Sequence, residues 1–168
     1  MRLITLLIVL GCLGFAADGF ALSEKGVENG DVVALTRFLE KDPFNKDAPL
    51  VRTALLRWEE KSKDVIDLVC PGLLSPIPNK SIPYSGELAA QHIFGSAALQ
   101  IEDPSKKGNV IAGQVAGIKS MLKAYRSMTA QKPSARIPKI EEFAQHESDG
   151  TLEAFMEPLV AKECKTPH

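Results

Sequence analysis

The 168-residue chain has little cysteine and none of the short motifs that usually carry chemistry. Its three cysteines form no Cys-x-x-Cys pair, which excludes a thioredoxin-like redox motif and covalent attachment of a c-type haem. The sequence also lacks the glycine-rich phosphate loops GxxxxGK[ST] and GxGxxG, the GxSxG nucleophile elbow and the zinc motif HExxH. These absences argue against nucleotide-binding folds and against the common hydrolase classes.

The chain has no apolar run of the roughly 20 residues that a spanning helix requires. The longest run, Leu3 to Phe15, follows the single charge of Arg2 and precedes several small residues. This order is typical of a secretory signal. With Gly19 and Ala21 as the small residues before the cleavage site, the mature chain is expected to begin near Leu22.

The signal divides the chain into a signal peptide, residues 1–21, and one predicted helical domain, residues 22–168. It predicts a secreted or periplasmic protein. A competing interpretation takes residues 9–12, Val-Leu-Gly-Cys, as a lipobox-like tetrad in which Cys12 would receive a lipid anchor. The short apolar segment before Cys12, and Leu10 where a small residue is usual, favour cleavage and loss of Cys12.

Neither sign of charge is in large excess, because 20 Lys and Arg residues stand against 21 Asp and Glu residues. The charges also alternate in sign along the chain. Strong basic patches attract nucleic acid and anionic membranes through their field, and this chain has none in its sequence. The composition therefore predicts no nucleic-acid partner, and the mature chain has no predicted transmembrane segment.

Two cysteines, Cys70 and Cys164, remain after removal of the signal. Exported proteins mature in oxidising compartments, where an even number of thiols indicates pairing. We therefore predict a Cys70–Cys164 disulfide, although two separately buried thiols would satisfy the same count. The bridge would close a loop of about 95 residues.

Apolar residues recur at helical spacing along most of the chain, and no segment shows the sustained alternation of a strand. The predicted fold is all-α, an irregular bundle of about six helices packed as helical hairpins, with a proline-rich internal loop. The hairpin of the third and fourth helices is expected at the centre of the core. The predicted helices begin at Asp31, Asp47, Ser85, Asn109, Pro138 and Asp149, and end near Pro43, Val69, Ile101, Ala130, His146 and Cys164. Pro158 is expected to kink or split the last one.

Residues 70–84 are too rich in proline to form a helix. Loops of this length without secondary structure are uncommon in compact domains. The leucines and isoleucines of the segment favour a loop that wraps across the helices. The alternative is a segment that contacts a partner or ligand, through Pro76, Pro78, Pro83 and Tyr84.

Two groups of residues have the spacing of a chemical site without its context. Glu142 and His146 stand four residues apart with Asp149 three further on, which is allowed for zinc ligands, but no further dependable ligand accompanies them. His92 and Ser96 are also four residues apart on one predicted helix, yet no nucleophile elbow surrounds the serine. We therefore predict no metal, no cofactor and no assigned catalytic residue.

The sequence supports three hypotheses of function. The favoured one is an exported, noncatalytic helical protein that acts as a protein-interaction module of the cell envelope or extracellular space. The first alternative is a carrier of a small apolar ligand, in a cavity between the alanine-rich third helix and the fourth helix with Met121 and Met128. The second alternative is a carboxylate-dependent hydrolase, for which Glu87 is the first candidate.

Overall fold

The computed structural model of the chain describes residues 26–68 and 70–164. The predicted signal peptide, Cys12 and the start of the mature chain lie outside these residues. Within them the protein has six α-helices and no strand, which confirms the all-α prediction. The helices are α1 (Asn29–Lys41), α2 (Ala48–Glu59), α3 (Ser85–Glu102), α4 (Val110–Gln131), α5 (Pro138–Ser148) and α6 (Leu152–Glu163).

The pair α3 and α4 forms the centre of the bundle, as the sequence predicted. Small residues let the two backbones come close to each other. A Cβ added at Gly117 of α4 would lie 2.6 Å from the carbonyl oxygen of His92 in α3. A Cβ added at Gly95 of α3 would lie 2.3 Å from the Cβ of Ser120. Glycine is therefore required at both positions by packing, because any larger side chain would force the helices apart.

The remaining helices pack against this pair in two apolar clusters. One side of α4 packs with α5, α6 and part of the proline-rich loop, and this cluster contains Leu122, Met128, Ile140, Phe143, Leu152 and Met156. Helices α1 and α2 pack on Phe94 of α3 with the residues Val32, Leu35, Leu39, Val51 and Leu55. The helices of the described residues thus share one core through α3 and α4.

A buried polar network joins α1 to the central pair. The carboxylate of Glu40 accepts a hydrogen bond from Ser120 Oγ at 2.7 Å and lies 3.2 Å from the ammonium of Lys123. Gln91 Nε2 in turn donates to Ser120 Oγ at 2.9 Å and to the carbonyl of Thr36 at 3.2 Å. Because buried polar groups are costly unless paired, this network fixes how α1 sits across α3 and α4.

Three helix ends match or correct the sequence prediction. Helix α4 begins as predicted, with the side chain of Asn109 accepting a hydrogen bond from the amide of Ala112 at 3.1 Å. Helix α1 begins two residues earlier than predicted, because Glu28 and Asp31 form a capping box. The expected split of the last helix at Pro158 is wrong, since α6 continues through that residue; the kink stays a prediction.

The prediction of a long second helix is wrong. Helix α2 ends at Glu59, and the chain that follows is not helical up to Leu68. There the carboxamide of Gln100 replaces helical hydrogen bonds: its Oε1 accepts from the amide of Ile66 at 2.9 Å, and its Nε2 donates to the Ile66 carbonyl at 3.2 Å. As a result Ile66, an apolar position of the predicted long helix, is 59% exposed. Leu50 in the first turn of α2, which the apolar spacing also places on the buried face, is 60% exposed.

Cys70 and Cys164 form a disulfide in the structure, with their Cα atoms 4.6 Å apart. This distance lies within the range of about 4.4 to 6.8 Å found for disulfides and confirms the predicted pairing. The prediction that Cys70 lies at the end of the second helix is wrong, because it lies in the irregular chain before the prolines. Cys164 is the C-cap residue of α6. The bridge therefore fastens the proline-rich loop to the last helix.

Gly117→Ala should destabilise the protein in spite of the better helix propensity of alanine. The new methyl group would collide with the backbone of α3, and we expect the free energy of unfolding to fall by about 1 to 3 kcal/mol in denaturant titration. Gly86→Ala in the first turn of α3 is the matched control, since no atom lies within 4 Å of its added Cβ. Equal stability of the two variants would contradict close packing of α3 on α4.

Removal of the disulfide should loosen α6 before the rest of the bundle. We expect Cys164→Ser to lower the free energy of unfolding by about 2 to 4 kcal/mol, because the unfolded chain regains the freedom of a long loop. Hydrogen exchange should show the first loss of protection in α6. A reductant should have the same effect on the wild-type chain and none on the variant. Unchanged stability after complete reduction would contradict this role of the bridge.

Candidate functional site

A pocket of about 210 Å³ lies between α3 and the chain that contains the disulfide and the prolines. Residues 71–84 are called the proline segment below. Most of the lining is apolar and consists of Leu68, Cys70, Pro71, Leu73, Leu74, Ile77, Pro78, Ala89 and Ile93. The polar lining residues are Asp67, His92, Ser96 and Gln114. An apolar cavity with a few convergent polar groups is the usual form of a small-molecule site.

The proline segment forms one wall of the pocket through side chains that turn inward. Leu73 and Ile77 are buried, and each donates its amide to the carbonyl three residues earlier, in successive turns. The far end of the segment is held by Ser85, whose Oγ accepts from the amide of Asn79 at 2.9 Å and donates to its carbonyl at 2.7 Å. The wall is therefore ordered without regular secondary structure.

The polar end of the pocket is built around Asp67. Its Oδ1 accepts a hydrogen bond from Ser96 Oγ of α3 and another, at 3.4 Å, from Gln100 Nε2. Its Oδ2 is buried and has no hydrogen-bond partner among the described residues. Burial raises the pKa of the Asp67 carboxyl group, and the two hydrogen bonds oppose this rise.

His92 lies on the same face of α3, one turn before Ser96. It is 7% exposed, and burial lowers its pKa to about 4, against a smaller opposing effect of a backbone hydrogen bond at Gln114. The Nε2 atom lies at the contact with Gly117, where an added Cβ would come within 2.8 Å of it. At neutral pH this histidine is therefore uncharged.

Gln114 brings α4 to the pocket. Its Nε2 donates to the carbonyl of Leu68 at 2.9 Å and so holds the chain at Leu68 against the helix. Its Oε1 is buried and has no partner among the residues that the structure describes. The side chain is 4% exposed. Such an acceptor carries a desolvation cost that a suitable donor would remove.

The structure brings His92 and Ser96 to one pocket, but not as a serine–histidine pair. The hydroxyl of Ser96 donates to Asp67, a residue that sequence analysis did not single out. Asp67 was missed because it was assigned to the long second helix. Gln114 was missed because a glutamine within a helix has no sequence signature. The one sequence feature that could have indicated Asp67 is its position between two apolar residues, Ile66 and Leu68.

The predicted contacts of the proline segment are only partly at the pocket. Pro78 lines it, whereas Pro76 and Pro83 are exposed and do not. Tyr84 packs edge-on against Phe44, with ring centroids 4.9 Å apart, and does not line the pocket. The cavity itself also differs from the one expected, since it lies between α3 and the proline segment and not between α3 and α4.

The remaining candidate residues lie elsewhere. His146 Nδ1 is 2.9 Å from Thr151 Oγ1, and Asp149 accepts from Gln145 Nε2 at 2.9 Å, so neither joins Glu142 in a site. In the part of the chain that the structure describes, no group of three or more His, Cys, Asp or Glu residues is placed to hold a metal.

The candidate carboxylate of a hydrolase and the two methionines of α4 do not line the pocket. Glu87, the candidate carboxylate of a hydrolase, is half-buried near Arg52 and does not line the pocket. Met121 and Met128 are fully buried in the core and do not line it either. The carboxylate that the pocket does contain is Asp67.

Comparison with protein families, curated proteins and solved structures finds no match to this chain. None of the described helices is both long enough and apolar enough to cross a membrane. The functional interpretation therefore rests on the pocket and its residues.

Acid should destabilise the protein through His92. The ring has a pKa of about 4 in the folded state and about 6.5 when unfolded, so the unfolded chain binds the proton first as pH falls. We expect the free energy of unfolding to drop by about 2 kcal/mol between pH 7 and pH 5 from this group. Denaturant titrations across that range measure the change.

His92→Gln removes the titrating ring and should flatten this part of the pH dependence. His146→Gln is the control, because that ring stacks on Phe155 outside the pocket, at a centroid distance of 3.7 Å. Asp67 acts in the opposite sense, since a carboxyl pKa raised by folding favours the folded state as pH falls. An unchanged pH profile in His92→Gln would show that His92 is not the group responsible.

Proposed function

We propose that this protein is an exported binding protein that carries one small, mainly apolar ligand in the pocket between α3 and the proline segment. The observation that carries the proposal is the apolar lining of that pocket, interrupted at one end by Asp67, Ser96 and Gln114. Carriers use apolar walls for affinity and a few polar groups for orientation, which matches this division.

The volume sets the scale of the ligand. An engineered apolar cavity of about 150 Å³ is large enough to bind benzene. At about 210 Å³, this pocket suits a ligand somewhat larger than a single aromatic ring. A long fatty acyl chain or a polycyclic cofactor would not fit without movement of the walls.

The predicted export agrees with this function. The signal-like start of the sequence indicates passage to an oxidising compartment, and the Cys70–Cys164 disulfide is compatible with it. Cys70 itself lines the pocket, so the bridge helps to hold one wall in place. The periplasm or the extracellular space is thus where we expect the carrier to work.

The geometry favours binding over catalysis. Ser96 lies inside α3, where backbone amides are engaged in helical hydrogen bonds, so they are not free to stabilise an oxyanion beside it. Its hydroxyl donates a hydrogen bond to Asp67, and this contact gives Ser96 a structural role. The protein-interaction module favoured from sequence stays a prediction; the large apolar side chains that are exposed among the described residues are Leu50, Leu56 and Ile66.

Filling the pocket should abolish binding. Ala89 lines it, and Ala89→Leu would occupy part of the volume with three added carbon atoms. We expect the wild-type protein to bind benzene and 1-hexanol, seen as shifts of the Ile93 and Leu73 methyl signals in NMR titrations. The variant should show neither shift, because the ligand competes with the new side chain for the same space.

Ala130→Leu is the matched control, because Ala130 is exposed near the end of α4 and does not line the pocket. It adds the same side chain and should leave binding unchanged. If Ala89→Leu bound both probes with wild-type affinity, the ligand would not occupy this pocket and the proposed function would be wrong.

A further inference from the structure

The polar end of the pocket contains buried hydrogen-bond acceptors that have no partner among the described residues. The hydroxyl of Ser96 donates a hydrogen bond to Asp67 Oδ1, and Gln114 Nε2 donates one to the carbonyl oxygen of Leu68. Three buried polar atoms of the lining residues have no partner among the described residues: Asp67 Oδ2, Gln114 Oε1 and His92 Nε2. The carboxylate and carboxamide oxygens can only accept hydrogen bonds. A ligand that complements these two atoms must bring hydrogen-bond donors.

The pocket lining is also negatively charged. Of the described residues, those that line the pocket include the carboxylate of Asp67 and no lysine or arginine, and buried His92 is neutral at neutral pH. A second carboxylate, Glu59, lies close by: burial and then the charge of Asp67 raise its pKa. An anionic ligand group would face this field without a counter-charge, whereas a cation would be attracted by it.

We propose, on the basis of the proposed function, that the ligand is a small apolar amine whose ammonium group binds between Asp67 Oδ2 and Gln114 Oε1. Its apolar body would then lie against Ile93, Leu73 and Ile77. An ammonium has three N–H donors and one positive charge, so it satisfies both acceptors and neutralises the carboxylate at once.

The buried position makes this pairing selective. A buried carboxylate without a counter-charge is costly, and a charged donor removes more of that cost than a neutral hydroxyl does. A ligand carboxylate would add a second negative charge to the same site. The expected order of affinity for ligands of one chain length is therefore amine, then alcohol, then carboxylate.

The test compares 1-hexylamine, 1-hexanol and hexanoate on the oxidised wild-type protein by calorimetric titration at pH 7. These probes share a six-carbon body and differ at the head group. We expect hexylamine to bind at least about tenfold more tightly than hexanol, with hexanoate the weakest. Equal or tighter binding of hexanol or hexanoate would overturn the amine proposal and leave the apolar carrier intact.

Asp67→Asn tests the assigned residue, since asparagine keeps an acceptor for Ser96 and Gln100 but loses the charge. We expect hexylamine affinity to fall at least about tenfold and hexanol affinity to change little. Asp64→Asn is the matched control, because Asp64 is exposed on the same segment, outside the pocket lining, and hydrogen-bonds Asn29. It removes the same charge from the segment and should leave hexylamine affinity unchanged.

The remaining outcomes separate the two proposals. An equal loss of hexylamine affinity in both variants would indicate a general charge effect and overturn the assignment to Asp67. Absence of binding by all three probes would overturn the proposed function together with this inference. If Asp67→Asn does not fold, the order of the three probes on the wild-type chain still decides the amine proposal.

Discussion

The close approach of α3 and α4 is the constraint on which the rest of the structure depends. Gly95 and Gly117 leave no room for a Cβ between the backbones, so the register of the two helices has little freedom. This register sets His92 and Ser96 of α3 beside Gln114 of α4. The part of the polar end that His92, Ser96 and Gln114 form is thus a consequence of how the central helices pack, and it rests on rigid elements. Asp67, by contrast, comes from the irregular chain after α2.

The pocket also requires that the chain after α2 leaves the helical conformation. The carboxamide of Gln100 binds both backbone groups of Ile66 and also contacts Asp67 Oδ1. The Gln100 side chain therefore performs two tasks: it satisfies a non-helical backbone that would otherwise lose hydrogen bonds, and it presents Asp67 to Ser96. One buried glutamine links the end of the second helix to the chemistry of the pocket.

Sequence reasoning succeeded where the signal was local. Helices α3 and α4 follow from apolar spacing and the Asn109 cap, and the Cys70–Cys164 pairing follows from counting thiols. It failed beyond Glu59, because apolar residues there continue a helical spacing and the competing partner, Gln100, is 34 residues from Ile66. The site was missed for the same reason, since Asp67 gains its role only from that long-range contact.

The irregular wall of the pocket is held at separate points, and this determines how it can bind. Gln114 fixes Leu68, the disulfide fixes Cys70, and Ser85 fixes Asn79. Between these points the wall turns its apolar side chains inward and needs no regular secondary structure. A wall fixed before the ligand arrives loses little conformational entropy on binding, so even a small ligand can retain useful affinity. A ligand small enough for this pocket makes few contacts with it, and the fixed wall compensates for the affinity that is lost in this way.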